Sequence, residues 1–158
     1  IPLAVICRGV GIATTGTSEE VLATCTIPAN TLSTNGFSIH YNFIAHTAAN
    51  GNNKTLRVRL NGLAGTIIWA SATGTFNNLN IVPISTFVQR LSSTTATTNG
   101  RYILTPEGVN QAASAASESN QRSVAVTWAN ANDFVITGTT PTASGDLTLD
   151  TYMVMIGQ

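Results

Sequence analysis

A chain of 158 residues, 43% of them apolar, is long enough for one packed domain and too apolar for a disordered one. Only 9% of its residues are charged and its formal net charge is zero, so no global field draws nucleic acid or an anionic membrane to it. Thr, Asn, Ser and Gly carry the polar share instead, and a surface near zero net charge favours association over free diffusion.

The opening IPLAVICRGVG is apolar, yet no basic segment precedes it and no small-residue cleavage site follows, so it does not read as a secretory signal. It lacks an initiator Met, which suggests a chain trimmed or excised from something longer. A strand is expected at 3–8, with 1–18 acting as an N-terminal strand or arm that makes subunit or anchoring contacts. Cys7 and Cys25 are the only cysteines. A disulfide framework normally shows more, so both are expected as free thiols buried like small hydrophobes.

Short β-rich runs then follow at 20–27, 37–45, 55–60, 66–70, 81–91, 101–104, 123–128, 134–137 and 147–156. Between them the dipeptides Asn35-Gly36, Asn50-Gly51, Asn61-Gly62 and Asn99-Gly100 mark turns, because both residue types tolerate positive φ. In GFSIHYNFIAH the residues Phe37, Ile39, Tyr41, Phe43 and Ala45 alternate with Ser38, His40, Asn42, Ile44 and His46 and form the core face of a strand. In NGNNKTLRVRLNG, Leu56, Val58 and Leu60 point inward while Thr55, Arg57 and Arg59 point outward. The stretch at 106–123, PEGVNQAASAASESNQRS, has no β-rich run and reads as a long surface loop with a helical turn at 111–116.

The last strand, LTLDTYMVMIG, is apolar on both faces after Thr151: Met153 and Met155 on one, Tyr152, Val154 and Ile156 on the other. Such a strand needs cover on both sides, from its own domain or from a neighbour. These elements predict a single all-β domain over 1–158, an antiparallel β-sandwich, jelly-roll-like, with about 8–10 strands and little helix.

Residues with chemistry are few. Arg57 and Arg59 stand roughly 7 Å apart on one strand face and could grip a carboxylate or phosphate. The plainer reading is that they solubilise an exposed face, and a subunit contact suits them better than nucleic acid, which would want more basic residues and exposed aromatics. His40 and His46 lie about 20 Å apart along one strand, too far to share a metal. Asp146 and Asp150 are about 13 Å apart at strand rise, beyond a glycosidase pair. No nucleophile-elbow or phosphate-loop pattern occurs, and Trp69 and Trp128 have apolar neighbours that suit core packing. The expectation is therefore no enzyme, no cofactor, no metal, no nucleic-acid partner and no membrane span. Candidate interface residues are Leu3, Val5, Arg57, Arg59, Met153 and Met155.

TCTIPANTLSTNG at 24–36, followed by NNKTLRVRLNG at 52–62, resembles a pattern of bacteriophage virion structural proteins: capsid-decoration, head-fibre and tail-fibre modules. The matching residues are Ile27, Pro28, Ala29, Leu32, Asn35, Gly36, Lys54, Thr55 and Gly62. What the resemblance implies is a jelly-roll-like module on a phage particle, forming a homo-oligomer, commonly a trimer, bound to a capsid or tail protein. Capsid decoration or a head fibre is the first expectation. The alternative is a receptor-binding module of a tail fibre or tailspike that takes a host glycan, with Trp69, Trp128 or Tyr102 exposed beside the loops to stack on sugar.

Overall fold

A computed structural model describes residues 3–106 and 122–157. In it the alternating runs become β1 (Leu3–Val10), β2 (Glu20–Ile27), β3 (Ser38–Thr47), β4 (Thr55–Leu60), β5 (Thr66–Ala70), β6 (Leu79–Arg90), β7 (Thr95–Pro106), β8 (Arg122–Ala125), β9 (Asn132–Thr139) and β10 (Leu147–Gly157). No helix occurs among the described residues. The helical turn expected at 111–116 lies outside them.

The strands pair antiparallel into a six-stranded sheet, β1-β10-β3-β6-β7-β8, and a four-stranded sheet, β2-β9-β4-β5. The chain crosses repeatedly between them, so that β1, β10, β3 and β6 face β2, β9, β4 and β5. This is the two-sheet weave of a jelly roll, with β7 and β8 added as a hairpin that widens one sheet. The sandwich expected from the sequence is what forms.

The core lies between the sheets and is built by strand alternation. Ile39, Tyr41, Phe43 and Ala45 of β3 are buried, as are Leu56, Val58 and Leu60 of β4, on the faces the pattern assigned. Trp69 sits at the centre, edge-on to Phe43 and Tyr102 with ring centroids 5.3 and 5.7 Å away. Tyr41 packs on Phe134 at 5.0 Å.

Two expectations fail here. Cys7 and Cys25 are joined in a disulfide, Cα to Cα 5.9 Å, so neither is a free thiol. The reason is topological. β1 and β2 are consecutive strands at the same edge of the two sheets, and the bond closes that open edge. Asn99-Gly100 is not a turn either. It lies inside β7, where Asn99 pairs with Phe87. Gly100 is there because a Cβ would fall 2.5 Å from Trp69 Cδ1, so the strand needs a residue without a side chain against the indole. By contrast Asn61 and Gly62 take φ of 69° and 78° and turn β4 into β5.

Candidate functional site

The outer faces of the two sheets differ. On the four-stranded sheet, Thr24, Thr26, Asp133, Thr137, Arg57 and Arg59 face outward by register and alternation. Glu19, just ahead of β2, reaches across them. Arg59 grips it with two near-parallel bonds, Nε to Oε1 at 2.8 Å and Nη2 to Oε2 at 2.8 Å. Arg57 Nη1 adds a bond to Oε2 at 3.2 Å, and Thr137 Oγ1 donates to Oε1 at 2.6 Å. Burial pushes the Glu19 carboxyl up, but the Arg59 and Thr137 hydrogen bonds and both guanidinium charges outweigh it and hold it below the ordinary glutamate range. The carboxylate that two outward arginines could grip is thus supplied by the chain itself.

On the six-stranded sheet the outer face carries exposed apolar side chains among polar ones such as Arg8, Asn42 and Arg101. Register places Val5 opposite Met155, Met155 opposite His40 and His40 opposite Phe87 in one row. The next rows set Met153 between Arg8 and Asn42, and Thr151 between Val10 and Ile44. Farther across, Ile84 pairs with Arg101 and Val82 with Ile103. Leu3 leans over Gly157 beside Ser38 and His40. Leu3, Val5, Ile44 and Ile84 are each 40–48% exposed, and Val10 81%. Burial holds the His40 imidazole below its ordinary pKa, with Ser38 Oγ 2.8 Å from Nε2. His46 joins Asp150, Nδ1 to Oδ1 at 2.7 Å, at the far end of β3.

A groove of about 680 Å³ crosses this face, lined by Arg8, Asn42, Ile44, Val82, Thr151 and Met153. It opens where the β3–β6 ladder is interrupted between His40↔Phe87 and Ala45↔Ile81. There β6 carries Ser85 at φ 54° within the register shift between Ile84 and Phe87.

Of the six residues expected at an interface, the fold brings Leu3, Val5, Met153 and Met155 onto this one face. Arg57 and Arg59 lie on the other sheet, engaged with Glu19. Trp69, Trp128 and Tyr102 are at most 2% exposed, so none of them is a platform for a sugar ring. Among the described residues no group of three or more His, Cys, Asp or Glu could hold a metal ion.

One further polar cluster escaped sequence reasoning. Lys54 is fully buried immediately ahead of β4. Its Nζ donates to Asn50 Oδ1 at 2.7 Å, to Asn50 O at 3.0 Å and to Phe76 O at 2.9 Å. Asp146, 5% exposed, accepts from Asn50 Nδ2 and Asn52 Nδ2, both at 2.7 Å. Burial lowers the Lys54 pKa, against the charge of Asp146. The Asn52 hydrogen bond, ahead of those from Asn50 and the Lys54 charge, holds Asp146 below the ordinary aspartate range despite its burial.

No protein-family model matches the chain, and no curated protein matches it. Among solved structures, a chain of infectious bursal disease virus Gx strain is 11% identical with a TM-score of 0.34, over 98% of this chain and 31% of that one. The CBM2 module of the evolved Dit of Lactobacillus casei BL23 phage J-1 is 11% identical with a TM-score of 0.35, over 91% and 75%. The infectious bursal disease virus VP2 subviral particle is 15% identical with a TM-score of 0.32, over 97% and 30%. The chain therefore spans about a third of the length of the two infectious bursal disease virus chains. Similarities of this extent carry no argument about function, and the jelly roll rests on the strand order alone.

Proposed function

We propose that this chain is a non-enzymatic structural component of a bacteriophage particle, a capsid-decoration or head-fibre module that works by homo-oligomer assembly and attachment. The observation that carries the reading is a set of apolar side chains sharing one sheet face: Leu3, Val5, Ile44, Ile84, Met153 and Met155 lie on the outer face of the six-stranded sheet with no cover among the described residues. A patch of this kind marks a protein contact, and symmetric association is the usual way to bury it. Low charge gives little repulsion against close packing of copies. A disulfide across the sandwich edge suits a protein that ends up outside the reducing cytosol, as a released particle does. The resemblance at 24–36 and 52–62 supplies the phage context and the trimer.

The test is to label the protein on intact phage particles with a specific antibody and locate the label by electron microscopy. Label over the capsid or its vertices is the expected result. Label confined to the tail tip would replace decoration by the receptor-binding role. Particles without label would overturn the reading.

A further inference from the structure

The loop joining β3 to β4 meets the residue ahead of β10, and together they hold an amine, an acyl group and a carboxyl in hydrogen-bonded series. The amine is Lys54 Nζ, shut off from solvent and bonded to the side-chain carbonyl of Asn50 at 2.7 Å. That carbonyl oxygen also accepts the backbone N–H of Asn52 at 3.0 Å, so a donor already points where negative charge would grow if the carbonyl were attacked. The nitrogen that would depart, Asn50 Nδ2, donates to Asp146 Oδ1 at 2.7 Å. Asp146 is itself buried and positioned by Asn52 Nδ2. Reactant groups held in place in this way escape much of the entropy cost of meeting.

We propose that this cluster is a self-acylation site, in which Lys54 Nζ condenses with the Asn50 side-chain amide to leave an intrachain isopeptide bond and release ammonia. Nζ loses one proton to become a free amine and attacks Asn50 Cγ. The Nζ–Cγ bond forms, and the negative charge on Oδ1 faces the Asn52 N–H. Collapse breaks the Cγ–Nδ2 bond. The two protons given up by Nζ leave on the departing nitrogen as ammonium, with Asp146 the carrier beside it, and the carboxylate is returned unchanged. Nothing is oxidised or reduced and no co-reactant is needed. Burial favours the free amine that the first step requires, because it disfavours the charged form of Lys54. General acid–base assistance from a positioned group such as Asp146 is worth about 100-fold or more in rate.

Intact mass and peptide mapping of the full, denatured chain test the proposal. The expected result is a chain lighter by one ammonia than its disulfide-bonded sequence, with trypsin unable to cut after Lys54. Fragmentation should place the loss within residues 50–54. An Asp146→Asn chain should acquire the link about 100-fold more slowly. A chain of full mass, cut normally after Lys54, would overturn the proposal and leave an ammonium held by three carbonyls. Attack by the Gly51 nitrogen on Asn50 would also release ammonia, as a succinimide. That product is cleaved by hydroxylamine and would persist in Lys54→Met, so either behaviour in place of the lysine link overturns it as well.

Discussion

Reducing the Cys7–Cys25 bond should destabilise the domain without removing a single core contact. The two residues are 18 apart in sequence, and closing a loop of that length removes about 3 kcal/mol of unfolded-chain entropy at 25 °C. At an m-value of about 2 kcal/mol per molar urea, the unfolding midpoint should fall by roughly 1.5 M. Reduction is a better perturbation than substitution, because Cys25 is 2% exposed and truncating it would add a cavity cost to the loop effect. The assay is a pair of urea titrations by tryptophan fluorescence, oxidised against reduced, since Trp69 and Trp128 are both buried. A second readout is amide exchange along β1, a strand whose one backbone ladder is with β10, which should lose protection before the rest of the sheet. A midpoint that moved by less than about 0.3 M would refute the claim that the bond constrains the unfolded chain.

The remaining expectations concern the two outer faces and the core. Glu19→Gln should cost about 2 kcal/mol, because it weakens charge-assisted bonds from Arg57 and Arg59 that are largely shielded from water. The folded Glu19 carboxyl titrates below its ordinary value, so its contribution is present above that value and is lost as pH falls through the folded one. Urea midpoints measured down to acid pH should therefore fall more steeply for the parent chain than for Glu19→Gln, and parallel curves would contradict the network. Gly100→Ala should cost about 1–3 kcal/mol by forcing Trp69 from its packing, read as a lower thermal midpoint. Val5→Lys with Ile44→Lys should change the isolated chain by about 1 kcal/mol or less per site while abolishing its self-association in sedimentation velocity. Unaltered association would place the contact elsewhere.

Much of the architecture was legible because period-two alternation survives wherever a strand has one apolar face. The bounds of β2, β4 and β5 coincide with their runs for that reason. β7 begins at Thr95, well before the expected 101, because its outward residues Thr95, Thr97 and Asn99 are polar and its inward ones, Ala96, Thr98 and Gly100, are small. Bulk arrives from Trp69 on the facing sheet, so the strand's own sequence carries no apolar signal. The interactions that were missed are all long-range or loop-borne. Glu19 meets Arg59 across 40 positions, and nothing local to either residue signals the other. Nothing in the asparagine-rich run around Lys54 signals its burial, because one of the groups that receives its Nζ, the Phe76 carbonyl, lies 22 positions away. Leu3, Val5, Met153 and Met155 could be suspected individually; only strand order puts β1 beside β10 and makes them one surface.

Both methionines of the chain, Met153 and Met155, lie on that surface, so methionine oxidation reports on it specifically. The measurement that tests the account most directly is radical footprinting of the chain on intact particles, compared with the dissociated chain. If the outer face of the six-stranded sheet is buried in assembly, both methionines should be protected on the particle and oxidised readily once the chain is free. Equal oxidation in the two states would mean that this face stays open to solvent, and would contradict attachment through it.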